Sequence, residues 1–135
     1  MPSAPVPPRF EPFLADANPA VIATLRRDGS PHPVPTWYEW RNGRLLVNMD
    51  ASRRRLDHMR RDPRVAVTIM SRDDWYSHLL LAGDVVELRD DPELEDIDRL
   101  SRRYRDEPYW NRERQSITAV IEPRSWFAWG TLAGD

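Results

Sequence analysis

Proline recurs at every second position of a segment that otherwise reads as a strand. Pro31, Pro33 and Pro35 alternate with His32 and Val34 and lead into the β-favouring Thr36, Trp37 and Tyr38. Alternate residues of a strand direct their backbone N–H groups to the same edge, and proline has none. One edge of this strand is therefore without donors. Such a segment belongs at a sheet border or beside a ligand or loop, because a central ladder would miss three donors in a row. Protection of an edge against aggregation accounts for the prolines equally well when they are taken alone.

A second constraint follows in the chain, where five arginines fall in the nine positions 53–61. Ser52 or Asp50 is suited to cap a helix here, and Pro63 stops it. On the helical wheel Leu56 and Met59 define the buried face, Arg54 points nearly opposite, and Arg55 lies on the flank. Arg54 is thus expected in solvent and Arg55 turned inward. A guanidinium fork binds phosphate oxygens in pairs and the first turn of a helix attracts anions, which suits Arg55 to a phosphate. A merely charged surface helix is the other reading of the same run.

Around these two features the remaining elements are short and extended. Residues 1–12 are Pro-rich and read as a flexible tail, with a short helix over 13–17. Residues 21–25 read as a first strand, turned by 26–29 into the proline strand, and Asn42-Gly43 is a strong hairpin signal leading into a strand over 45–48. Strands are expected over 65–70 and 75–88, the latter bulged at Gly83. Asp91-Pro92 opens a helix with Leu94, Ile97, Leu100 and Tyr104 as its apolar stripe. Segments 117–121 and 126–129, separated by a turn at Pro123, complete the sheet. The pattern predicts a mainly β (α+β) fold, a small antiparallel barrel of six to seven strands with two main helices, as a single domain over 13–135.

Composition removes several chemistries. The 135-residue chain has no cysteine, so disulfides and thiolate sites are excluded, and all 20 basic residues are arginine, so no lysine can form a Schiff base. His32, His58 and His78 lack metal-ligand spacing, and no nucleophile elbow or nucleotide-binding glycine loop is present, so no metal site is assigned. With neither a secretory leader nor a membrane-spanning apolar run, a soluble cytoplasmic protein is expected. Residues 41–64 hold eight arginines against three acids, whereas residues 84–107 hold ten acids against five arginines. A local basic patch on a chain of net charge −2 favours a small anionic ligand over nucleic acid. Tyr76, His78, Tyr109, Trp110, Trp126 and Trp129 are candidates to line a substrate pocket, with core or interface the first assignment for Trp126 and Trp129.

The segments ATLRRDG-SP, RNGRLLVN, SRRRLDHMRRDPRVAV and SRRY…EPY resemble the pyridoxamine 5'-phosphate oxidase-like split β-barrel family, and more narrowly its flavin/deazaflavin oxidoreductase branch. The resemblance covers residues 13–130, with the arginine helix and RRDPRV as its most specific part. It implies an FMN-binding split-barrel fold and a homodimer with a cofactor at each interface site, either FMN or the 8-hydroxy-5-deazaflavin coenzyme F-420. It places Arg55 on the cofactor phosphate, Asn48, Met49 and Ser52 on the loop along the phosphate and ribityl chain, and Pro35, Thr36 and Trp37 against the ring. Because Pro33 and Pro35 have no N–H, ring contacts fall to Val34, Thr36 or Trp37.

The expected function is an F-420-dependent oxidoreductase that passes hydride to a conjugated, electron-poor small molecule. The cofactor performs that step, so no catalytic acid or base is assigned. The arginine surplus favours F-420 through its acidic tail, which Arg53, Arg60 or Arg61 would meet; Tyr76, His78 and Trp110 are the substrate-pocket candidates. An FMN enzyme and a non-catalytic cofactor- or tetrapyrrole-binding protein are the alternatives.

Overall fold

Apolar and β-branched residues alternate through the extended segments, and a computed structural model, which describes residues 1–133, joins these segments into one seven-stranded sheet. The strands are β1 (Ala20–Leu25), β2 (Pro31–Thr36), β3 (Glu39–Arg41), β4 (Arg44–Asp50), β5 (Arg64–Met70), β6 (His78–Asp90) and β7 (Ser116–Trp129). Helices α1 (Glu11–Ala15), α2 (Arg54–Arg61) and α3 (Glu95–Arg105) fill the gaps. Every pairing is antiparallel, in the order β2-β1-β5-β6-β7-β4-β3, and the fold is the expected split barrel.

The proline strand lies at one end of that order. Arg26 N donates to Ser30 O, so the pairs two steps on, Thr24/His32 and Ile22/Val34, fall in the same bonding phase of the ladder. The prolines occupy the alternate positions, with their missing donors on the open edge. Their rings are exposed, while His32, Val34 and Thr36 are half-buried on the opposite face. At the hairpin, Asn42 and Gly43 both take positive φ (51° and 76°), the left-handed pair that a two-residue turn of this kind requires.

The barrel interior is packed by Ile22, Val47, Met49, Ile69, Leu79, Leu81 and Ile121, and closed on one side by Leu56 and Met59 of α2. Burying each of those two side chains contributes about 1.5–3 kcal/mol, which holds a helix too short to be stable alone. His58, on the same helix, meets Thr24 Oγ1 of β1 through its Nδ1 at 2.8 Å.

Three expectations are corrected. Residues 1–12 do not project as a tail: Trp126 N donates to Pro2 O and Ala4 N to Arg124 O, while Phe10 is buried edge-to-face on Trp126. The pairing of β4 on β7 ends at Ile121, which leaves the edge beyond it to be covered by this segment. The strand expected from residue 75 starts at His78 instead, because Asp74 accepts from Tyr76 N and Ser77 Oγ and so closes a turn there. Pro123 makes no turn. It lies within the continuous β7 opposite Gly83, where the β6–β7 register shifts.

Gly83 is the position where β7 crosses β6 most closely, since a Cβ there would fall on the Glu122 carbonyl. Gly83→Ala is expected to cost about 1–3 kcal/mol through backbone displacement. Urea unfolding checks this, and a midpoint matching the wild type would refute the close approach.

Candidate functional site: an arginine-lined cleft between β2, α2 and α3

The loop from β4 into α2 is held by Asp50, which accepts from Ser52 N (3.0 Å), Ser52 Oγ (2.5 Å) and Gln115 N (3.0 Å). The cap expected from Ser52 or Asp50 is therefore spent on the turn. The N-cap is Arg53, in extended conformation and with no side-chain cap bond. This loop delivers Arg55 inward and leaves Arg54 exposed, as the helical wheel predicts.

Arg55 donates from Nη2 to the main-chain oxygen of Asn48 at 2.8 Å, while its buried Nε has no partner. Burial, with Arg53 and Arg114 nearby, pushes its guanidinium down to about 10, still charged at neutral pH. Among the described residues, Arg53, Arg55 and Arg114 form no ion pair with a carboxylate. Arg114 arrives from the segment before β7 and donates from Nε to Asn48 Oδ1 (3.2 Å) and from Nη1 to Tyr109 Oη (3.1 Å). Its guanidinium lies 4.8 Å from the centre of the Tyr109 ring. A buried positive group without an internal counter-ion is costly, and an incoming anion relieves that cost.

Above the arginines the wall is aromatic and flat. Trp37 stacks on Tyr104 with centroids 5.4 Å apart and planes 10° apart, and meets Tyr109 edge-on at 6.3 Å. Leu94, the N-cap of α3, and Ile97 and Leu100 within it form a small apolar cluster behind Trp37 and Tyr109. Tyr104 is fixed by donating to Asn18 O at 2.6 Å, and burial raises its pKa, so it stands as a neutral phenol. The whole encloses about 940 Å³, within the size range of cofactor clefts.

Of the residues expected from sequence, Val34, Pro35, Thr36, Trp37, Asn48, Ser52, Arg53 and Arg55 line this one cleft. Met49 does not: it is fully buried in the barrel, because its side chain alternates to the face opposite Asn48. Arg60 and Arg61 line a second cavity of about 980 Å³ with Arg26, Arg27, Asp57 and His58, and this cavity shares His32 and Arg54 with the first. Trp110 lies beside Tyr109, with its ring 75% exposed. Tyr76 and His78 are elsewhere, in the turn before β6 and at its start. Trp126 packs on Phe10 as core, whereas Trp129 stands exposed. Arg114 and His32 are cleft residues that the sequence reading did not single out. Alternation with Val34 and Thr36 was a signal for His32, whereas nothing local marks Arg114.

The family model described as pyridoxamine 5'-phosphate oxidase matches residues 6–130. No curated protein matches the sequence. Among solved structures, an F-420 reductase is similar at a TM-score of 0.80 and 25% identity, covering 90% of this chain and 98% of that one. A conserved hypothetical protein from Mycobacterium tuberculosis follows at 0.70 and 21%, covering 94% and 86%. General Stress Protein 26 from Bacillus anthracis stands at 0.68 and 17%, covering 90% and 91%. With the match running over nearly all of the barrel and the cleft, the chain belongs to the pyridoxamine 5'-phosphate oxidase family.

Proposed function

We propose that this protein is an oxidoreductase that binds reduced F-420 and passes its hydride to a conjugated, electron-poor organic acceptor. The observation that carries this reading is the pair of adjoining arginine-rich cavities, one backed by the Trp37–Tyr104 wall and both meeting at His32 and Arg54. A flat ring on the aromatic wall, a phosphate at Arg55 and an acidic tail along Arg60 and Arg61 would match the two cavities in order. The structurally similar F-420 reductase supports the same cofactor. FMN is the second reading, favoured by one observation: three arginines that form no ion pair among the described residues suit a dianionic phosphomonoester.

When bound, the deazaflavin or flavin supplies the hydride chemistry. The chain's own residues bind and orient. Arg55 and Arg53 would neutralise the phosphate, and Ser52, whose N–H and hydroxyl both donate to Asp50, shapes the loop that carries them. Val34 and Thr36 approach the ring edge from β2, while Trp37, Tyr104 and Tyr109 exclude water from one face. Trp110, exposed beside Tyr109, is the remaining substrate-facing candidate of the three named from sequence.

A cytoplasmic homodimer is part of this reading. Phe127 and Trp129 stack on the outer sheet face, register partners of Leu80 and His78, and Trp75 and Tyr76 form a second exposed stacked pair; exposed aromatic side chains of this kind are what partners cover. No helix among the described residues is long and apolar enough to cross a membrane. Light scattering is expected to give about twice the 15.9 kDa chain mass at micromolar protein. A persistent monomer would contradict this part of the reading.

Arg55→Ala should weaken cofactor binding about tenfold to hundredfold, the loss of a charge-assisted bond, with a much smaller effect from Arg54→Ala, whose exposed side chain at the mouth shared by the two cavities is screened by solvent. Fluorescence titration measures both, and equal effects would refute the inward role of Arg55. The cofactor is separated by salt. Exposed charges are screened over about 8–10 Å at ordinary ionic strength, so tail contacts at Arg60 and Arg61 should weaken as salt rises, while an enclosed phosphate responds less. F-420 should bind more tightly than FMN at low salt, with the gap narrowing as salt is added. If FMN binds more tightly throughout, the flavin reading replaces this one. Tight binding of haem alone would move the protein to the non-catalytic class.

A further inference from the structure

The amide of Asn48 has one orientation that satisfies its neighbours. Asn48 is 5% exposed on β4, facing Ser116 and Thr118 of β7. Ser116 Oγ donates to Asp91 Oδ2 at 2.8 Å and Thr118 Oγ1 donates to Asp96 Oδ2 at 2.7 Å. A carboxylate only accepts, so each hydroxyl proton is committed there and both hydroxyls can only accept in turn. They accept from Asn48 Nδ2 at 2.8 and 3.0 Å. Ser116 Oγ also lies 3.1 Å from Asn48 Oδ1, with no second proton to share. Oδ1 is consequently left to receive Arg114 Nε, while the main-chain oxygen of the same residue receives Arg55 Nη2.

The two carboxylates are themselves fixed. Asp91 accepts from the N–H groups of Asp96 and Ile97 at the start of α3, and Asp96 pairs with Arg89 and Arg99. The start of α3 thus sets two hydroxyls, the hydroxyls set one amide, and that residue holds two guanidinium groups. Arg114 spends Nε on Asn48 and Nη1 on Tyr109, and its remaining terminal nitrogen makes no intramolecular bond among the described residues.

We propose that Arg114 is a second ligand of the phosphate bound by Arg55, and that Asn48 is the positioning residue that presents both guanidinium groups to it. This rests on the reading of the cleft as a phosphate-bearing cofactor site. It brings a residue 66 positions from Asn48 in sequence to the same anion, and it gives Asn48 an indirect role, holding donors instead of contacting the cofactor.

Matched ligand pairs that share a ring system test it: FMN against riboflavin, and F-420 against its phosphate-free deazariboflavin core. Each is titrated by fluorescence into wild type, Arg114→Gln, Arg114→Lys and Asn48→Ala. The wild type is expected to prefer the phosphorylated member of whichever pair binds. Arg114→Gln should cut that preference about tenfold or more, the preference being a ratio within each variant in which any loss through the Tyr109 wall cancels, and Arg114→Lys should restore part of it. Asn48→Ala should lower the same preference with the phosphate-free ligand still bound. An undiminished preference in Arg114→Gln overturns the assignment of Arg114, and an undiminished preference in Asn48→Ala, which keeps the main-chain oxygen that holds Arg55, overturns the positioning of Arg114 by the amide. A wild type without preference in either pair overturns the phosphate reading of the cleft, and this proposal with it.

Discussion

The cleft is organised by a buried positive charge with no negative charge of its own beside it. Arg55 is pressed against the barrel wall with its buried Nε unpartnered, and among the described residues its only hydrogen bond is to a main-chain oxygen. Such a group is tolerable because it is held rigidly and because a ligand can complete it. The helix face that buries Leu56 and Met59 keeps Arg55 from swinging out to solvent, so core packing and ligand recognition use the same eight-residue element.

The buried carboxylates of the acidic half, Asp91, Asp96 and Asp98, do not neutralise this charge, because they are engaged elsewhere. Asp96 is bound by Arg89, Arg99 and Thr118, and hydrogen bonds from Thr118 and Arg99 with the charge of Arg89 hold it below the usual carboxylate range against the opposing effect of burial. Asp98 is held down chiefly by Arg112 and also accepts from Tyr109 N, which ties the segment carrying Tyr109 and Arg114 to α3. A chain of net charge −2 thus presents a cleft whose arginines form no ion pair among the described residues, while its buried acids serve as internal fasteners.

What could be read from sequence was what local chemistry decides. The Asn42-Gly43 turn needs left-handed backbone at two adjacent residues, the prolines forbid a central strand, and the wheel separates Arg55 from Arg54. The family's motifs carried the fold and most of the cleft. The errors lie where distant chain decides. Pro123 reads as a turn by itself, yet a bulge opposite Gly83 accommodates it within a strand. The proline-rich start reads as free, yet a stretch of β7 left uncovered by β4 gives it a partner. The resemblance puts Met49 on the cofactor loop with Asn48, although strand alternation sends the two to opposite faces. Arg114 had no signal, because its place is fixed by Asn48 and Tyr109, neither predictable as its neighbour.

The prolines of β2 have a further effect on how this sheet meets other chains. Their edge offers carbonyls alone, and one of these, on Pro31, is already taken by Arg26. An incoming strand could donate but would find no N–H for its own carbonyls, so half of any new ladder would go unmade. At the other end of the sheet, β3 is three residues long and carries Glu39 and Arg41. Lateral growth of the sheet is thus discouraged at both margins, which leaves its faces, and not its edges, as the surfaces open to another chain.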